Sequence, residues 1–279
     1  MGNKFLRKGD RLKINTAKFI AILSVLATVL WIFGLGWTIN SYFFSKPDAK
    51  VQSDTANEAE VSKSDGDYQI VALGDSLTRG TGDQSGKGYI GYLVDELKEK
   101  TERDIKLSNL AIKGQVSDQV VEQLQKPEIR RQISAADTIV MTIGGNDLFQ
   151  GGQALENLLS AENDQAKAKY LANLNKIIGE LRKVNPEASV YYVGLYNPFN
   201  DLEDAKTTSA IVRQWNFESA EIAANYPKVV MVPTFDLFEQ NVNDYLYSDK
   251  FHPNSEGYKL IGERLSSLIV FSREGNQDD

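Results

Sequence analysis

The 279-residue chain is 42% hydrophobic and 25% charged, with 21 Gly and 7 Pro, an ordinary globular composition that excludes collagen-like and wholly disordered architectures. It has no cysteine and a single histidine, His252, which excludes disulfides, thiolate chemistry, a lipidated cysteine and multi-histidine metal sites; no metal or organic cofactor is expected. The net charge of −7 is uneven, because residues 1–18 set six basic side chains (Lys4, Arg7, Lys8, Arg11, Lys13 and Lys18) against Asp10, so the remainder is strongly acidic and no nucleic-acid partner is expected.

After this basic segment come 21 uncharged residues, Phe19–Ile39. As a helix at ~1.5 Å per residue they span ~31 Å, about the hydrocarbon thickness of a bilayer. The run exceeds the ~7–15-residue apolar region of a signal peptide, and Trp37–Tyr42 offers no small-x-small cleavage site, which favours an uncleaved transmembrane helix at 19–39 over a buried core helix or a removed leader. Trp31, Trp37, Tyr42, Phe43 and Phe44 enrich the following end in aromatics, as at a membrane interface. The basic excess before the span places the N-terminus in the cytoplasm and the remainder outside, at the plasma membrane. Residues 40–66 follow as a tether, polar and acidic from Ser45 onward and too poor in apolar side chains to fold alone.

Residues 67–270 read as one domain. Short β-rich runs at Tyr68–Leu73, Ile105–Leu110, Thr138–Ile143, Val190–Leu195 and Val229–Val232 alternate with helical patterns at Tyr89–Lys100, Ser117–Gln125, Gln165–Asn185, Thr208–Asn225 and Ser255–Ile269. That alternation implies α/β architecture with a parallel sheet covered on both faces. Residues 271–279 form a polar tail.

Four motifs sit at the ends of these elements. The first strand runs into Gly74-Asp75-Ser76-Leu77-Thr78, which puts a serine at the carboxyl end of a parallel strand, where such sheets bind ligands. Taken alone, this run is equally a helix cap. A serine needs a base, and the base needs a partner to orient it. Asp249-Lys250-Phe251-His252 offers both within one turn, although a lone histidine before a helix is also common in surface turns. Gly114, after the second strand, and Gly145-Asn146-Asp147, after the third, are turn residues by composition and oxyanion donors by chemistry: glycine admits close backbone approach and asparagine adds an amide N–H. Leu148 to Asn163 and Tyr196-Asn197-Pro198-Phe199 leave the same sheet edge, as acyl-pocket lining or local core, and Arg79 reads as a solvated loop charge near the serine.

Together the four blocks resemble the SGNH (GDSL) hydrolase superfamily, in particular its bacterial lysophospholipase/thioesterase-like branch, over residues 67–270. The resemblance implies a three-layer α/β/α sandwich on a five-stranded, mainly parallel, flavodoxin-like sheet. It also implies a catalytic triad of Ser76, His252 and Asp249, with an oxyanion hole from the Ser76 and Gly114 N–H groups and the Asn146 side chain. The expected function is a membrane-tethered extracellular serine ester hydrolase acting on lipid or other acyl esters. The alternatives are an O-acetyl esterase on cell-wall polysaccharide and a non-catalytic binding module on the same fold.

Overall fold

The computed structural model describes residues 24–28, 30–31, 66–149 and 161–271. Contacts divide the chain into two units, Met1–Ala59 and Glu60–Asp279. In the first, residues 24–28 and 30–31 are helical and solvent-exposed. Among the described residues no helix is long and apolar enough to cross a membrane. Most of the span expected at 19–39, the basic segment 1–18, nearly all of the tether 40–66 and the tail past 271 lie outside the described residues.

The second unit is built on five strands: β1 (Asp67–Gly74), β2 (Asp104–Asn109), β3 (Thr138–Thr142), β4 (Ser189–Val193) and β5 (Val229–Val232). Their order is β2-β1-β3-β4-β5 and every pair is parallel. This is the flavodoxin-like arrangement expected, with β1 at the point where the strand order reverses. The helices are α1 (Gly88–Lys98), α2 (Ser117–Gln123), α3 (Pro127–Ala135), α4 (Gly145–Phe149), α5 (Ala161–Val184), α6 (Ala205–Ala224), α7 (Phe235–Phe238), α8 (Val242–Tyr245) and α9 (Ser255–Leu268).

Period-two alternation in β1 feeds two cores. Ile70 and Ala72 pack with Tyr89, Ile90, Leu93 and Leu97 of α1 and with Tyr258, Ile261 and Leu265 of α9. Val71 and Leu73 face the other way, against Val120 of α2, Ile129 and Ile133 of α3, Leu174 and Ile177 of α5 and Trp215 of α6. With both faces covered, the central strands are apolar throughout rather than alternating, as parallel sheets require. On α5, Tyr170, Leu174, Ile177, Ile178 and Leu181 repeat at helical spacing and are buried, and Trp215 stacks on Tyr170 with ring centroids 4.9 Å apart.

The structure corrects the sequence reading at several boundaries. The helix expected over Ser117–Gln125 stops at Gln123, and a second, α3, starts at Pro127. Pro127 at the first helical position, where a missing N–H costs nothing, is the signal for that start. Both β2 and β4 begin one residue earlier than expected and end one and two residues sooner, and the short α4, α7 and α8 carry too few residues for a period to show.

Candidate active site

The chain leaves β1 through Gly74, at φ +123°, where a Cβ would lie 2.0 Å from the Thr142 carbonyl oxygen, so only glycine permits the turn. Beyond it Asp75 is 2% exposed, and its carboxylate accepts from the Leu77 N–H at 3.0 Å and the Thr142 hydroxyl at 2.8 Å. A buried hydroxyl chain continues from Thr142 to Thr78 (2.7 Å) and from Thr78 to Tyr89 (2.6 Å). The Asp75 side chain thus ties down the turn; no helix starts here, so Gly-Asp-Ser is not a helix cap, and the Ser76 hydroxyl is left to bond His252. Burial pushes the Asp75 carboxyl above the ordinary carboxylate range, against the hydrogen bonds from Thr142 and Leu77.

Ser76 Oγ lies 2.8 Å from His252 Nε2, and His252 Nδ1 lies 2.7 Å from Asp249 Oδ2. The other Asp249 oxygen accepts from the backbone N–H groups of Phe251 (3.0 Å) and His252 (2.9 Å). Burial raises the Asp249 carboxyl, but its bonds to the His252 ring and to these two N–H groups outweigh burial and hold it below its usual range. Lys250 between them takes φ +56°, a left-handed turn uncommon for a side chain with a Cβ, which folds Asp249 back onto the ring. The segment is tied down by Tyr247 N–H donating to the His252 carbonyl (2.7 Å) and Asn254 N–H donating to the Tyr245 carbonyl (2.8 Å). Asn254 then caps α9, its side chain accepting from Gly257 N–H at 3.0 Å.

The remaining expected donors stand at the same sheet edge. Ile112 N–H donates to the Gly74 carbonyl at 2.9 Å, which brings the loop after β2 alongside the serine turn. In that loop Gly114 takes φ +74° with open space where a Cβ would be, so the backbone conformation rather than crowding favours glycine. Asn146, at the start of α4, donates through Nδ2 to the Gln115 carbonyl at 3.0 Å. Asp147 beside it accepts from Ser117 N–H (3.0 Å) and Ser117 Oγ–H (2.5 Å) at the start of α2. Two adjacent residues therefore clamp the loop after β3 to the loop after β2, fixing Asn146 relative to Gly114.

A mainly apolar cavity opens between the ends of β3 and β4, lined by Leu77, Ile143, Phe149, Leu195, Tyr196 and Phe251, with Asp75 and Gly145 at its edge. Its free interior, about 20 Å³, is little more than one water molecule needs. Phe149 meets Phe251 and Phe199 edge-on at 5.9 and 5.4 Å, and Tyr196 Oη–H holds the Phe251 carbonyl at 2.6 Å. Both segments expected at this sheet edge thus line the cavity, through Phe149, Tyr196 and Pro198. Residues 150–160 of the first lie outside the described residues. Arg79 is exposed, as a solvated charge should be.

Sequence reasoning missed the glycine-rich loop before α1. Gly82, at φ +94°, packs so closely that a Cβ would lie 2.6 Å from the Pro253 carbonyl oxygen and 3.1 Å from His252 Cβ. Asp83 binds Ser255 Oγ–H (2.6 Å) at the start of α9 and Gly88 N–H (2.7 Å) at the start of α1. Asp83 sits below the ordinary carboxylate range because the hydrogen bonds from Ser255, Ser85 and Gly88 overcome the opposing effect of burial. The run of glycines at 80, 82, 86 and 88 was the available signal.

The model of the GDSL-like lipase/acylhydrolase family matches residues 72–260. The chain is 34% identical over 225 residues to the YpmR protein of Bacillus subtilis (strain 168), covering 79% of this chain and 88% of that protein. It is 30% identical over 219 residues to the spore germination lipase LipC of Bacillus licheniformis, covering 74% and 99%. Among solved structures, a lipase from a goat rumen metagenome superposes with TM-score 0.65 at 26% identity over 72% of this chain and 96% of its own. An acetylxylan esterase from Geobacillus stearothermophilus shares the fold with TM-score 0.55 at 20% identity, over 72% and 93%.

Proposed function

We propose that this chain, which belongs to the GDSL-like lipase/acylhydrolase family and is a carboxylic ester hydrolase, cleaves acyl esters with Ser76 as nucleophile, His252 as base and Asp249 as the group that orients it. The observation that carries this reading is the continuous pair of bonds, 2.8 Å from Ser76 Oγ to His252 Nε2 and 2.7 Å from His252 Nδ1 to Asp249. With Asp249 ionised, the neutral imidazole keeps its proton on Nδ1, so Nε2 accepts the serine hydroxyl. Ser76 Oγ attacks the acyl carbonyl while Nε2 takes its proton. The resulting oxyanion is met by the N–H groups of Ser76 and Gly114 and by the second amide proton of Asn146, whose first is engaged by Gln115. Collapse expels the alcohol with the proton from His252, and a water activated the same way releases the acid.

The small cavity, lined by Asp75 and Leu77 that flank Ser76 in the chain, favours, within this reading, an O-acetyl ester over a long-chain lipid ester, because an acetyl methyl fills about the room there and a longer chain does not. The test is turnover of acetyl, butyryl, octanoyl and palmitoyl esters by the full chain beside a Ser76→Ala control. The reading requires Ser76-dependent hydrolysis, fastest on acetate. Ser76-independent turnover contradicts the mechanism, and a preference for octanoate or palmitoate contradicts only the acetyl assignment.

The domain acts outside the cell, tethered by a span at residues 19–39 with the N-terminus in the cytoplasm. Support comes from the 21 uncharged residues and the six basic residues ahead of them. Protease added to intact cells should degrade the domain while the full-length protein fractionates with membranes; a protected domain contradicts the placement.

A further inference from the structure

On the side of Ser76 away from the apolar cavity, past the β2 edge, lies a second and much larger depression. It has about 290 Å³ of free interior and is lined by Lys113, Gly114, Gln119, Glu122, Gln123 and Lys126, with Ile112 and Gln115 beside them. Its floor is rigid: Gln115 Nε2–H donates to Gln123 Oε1 (3.0 Å), and Gln123 Nε2–H donates to the Leu110 carbonyl (2.7 Å). The walls carry two lysines and one carboxylate, Glu122, in a chain of net charge −7. Some basic side chains elsewhere in the domain are paired with acids, as in Lys87–Asp95, Arg130–Glu180, Lys167–Glu218, Lys228–Glu187 and Arg264–Asp236. Among the described residues Lys113 and Lys126 have no carboxylate within ion-pair distance.

The strand order sets the two spaces apart. The groove lies on the loop after β2, on one side of β1, and the apolar cavity lies over the ends of β3 and β4, on the other. An ester held with its carbonyl oxygen between Gly114 and Asn146 has two arms, and only one of them is small enough for a cavity of about 20 Å³. The volume of the groove, by contrast, approaches that of sites for whole small molecules. We infer that this groove receives the leaving alcohol of the substrate and that Lys113 and Lys126 select an alcohol bearing a negatively charged group. The inference rests on the reading of Ser76 as nucleophile: the acyl–oxygen bond breaks toward the groove, and the alkoxide leaves into it with the proton that His252 took from Ser76. Two solvated ammonium groups act there through long-range attraction as well as contact, so the selection is sensitive to salt.

The test compares two acetate esters on the full-length chain, 4-nitrophenyl acetate and its analogue with a carboxylate on the ring. The readout is the ratio of their kcat/KM values, which cancels any general loss of activity. In the Lys113→Ala/Lys126→Ala double variant the ratio of anionic to neutral ester should fall about fivefold, as expected for loss of two exposed charge contacts. The Lys113→Arg/Lys126→Arg variant should keep the ratio, and in the unaltered protein the ratio should fall between 0.05 and 0.5 M NaCl. A ratio unchanged by the alanine variant, or insensitive to salt in the unaltered protein, overturns the groove assignment while leaving the nucleophile reading intact. If hydrolysis of both esters survives Ser76→Ala, the nucleophile reading fails and the groove assignment falls with it.

Discussion

Ser76 and His252 reach one another from supports of opposite kind. The serine stands on the core: it is 6% exposed, sits in the turn just beyond the interior strand β1, and is backed by the buried Asp75, Thr142, Thr78 and Tyr89 hydrogen-bond chain. The histidine stands on a loop between two helices, with a left-handed lysine beside it and an aspartate partner open to solvent. What makes the second as definite as the first is borrowed support: Gly82 packs on the His252 Cβ and Asp83 ties that loop to the start of α9. A long separation in sequence, 176 residues, is thus bridged by one rigid half and one half held from outside.

If both halves form one unit, Ser76→Ala and His252→Ala should each lower kcat by about 10⁴-fold or more, and the double variant should lose little beyond either. Multiplicative losses in ester kinetics would mean that the two act separately. Next in size, Asn146→Ala should lower kcat by about 10²–10³-fold with KM little changed, the signature of a donor used only in the transition state. A loss confined to melting temperature would instead reduce Asn146 to its bond with Gln115.

Gly82→Ala sharpens the contrast, because it touches only the borrowed support. Displacing His252 by a fraction of an ångström or more should cost about 10-to-10²-fold in kcat. Gly86→Ala is the matched control: Gly86 also has a positive φ (+73°) but nothing lies where its Cβ would be, so it should lower Tm through backbone strain and leave kcat near normal. Equal kcat for both variants would detach the loop from the histidine.

The smallest effect is on pH dependence, and it differs in sign between the halves. Asp83 and Asp249 lie below their unfolded values, so their contribution is present above the ordinary carboxylate range of ~3.9 and disappears as pH falls through the folded values. Asp75 lies above its unfolded value; its contribution is present below that range and is lost as pH rises through the folded value. In thermal melts followed across pH 3 to 7, Asp83→Asn should flatten the acid-side fall in Tm, whereas Tm of Asp75→Asn relative to the unaltered protein should rise with pH. Parallel profiles for the two variants would contradict the assignment.

The same asymmetry explains what the sequence made legible. The apolar run Ile70–Leu73 marks a strand covered on both faces, Val229–Val232 marks an edge strand whose Val230 stays exposed, and residues at helical spacing mark α1, α5, α6 and α9. Asp249-Lys250-Phe251-His252 is local, so spacing permits its internal bond, although a plain surface turn fits the same four residues. Pairing Ser76 with His252 needed the family resemblance, since no spacing predicts a contact across the whole domain. Gly82, Asp83 and the clamp from Asp147 to Ser117 are tertiary contacts between loops, and a turn-like composition is all that such loops show in one dimension. The boundary between α2 and α3 was written in Pro127, between the buried Leu124 and Ile129.

The central claim is that His252 activates Ser76 and no other serine of the chain. A fluorophosphonate reacts with an activated serine, and peptide mapping by mass spectrometry after timed exposure of the full-length protein gives both the site and its rate. The account predicts one label per chain, on Ser76, formed at least about 10²-fold more slowly in His252→Ala. A label on another serine, or an unchanged rate at Ser76 in the histidine variant, would contradict it.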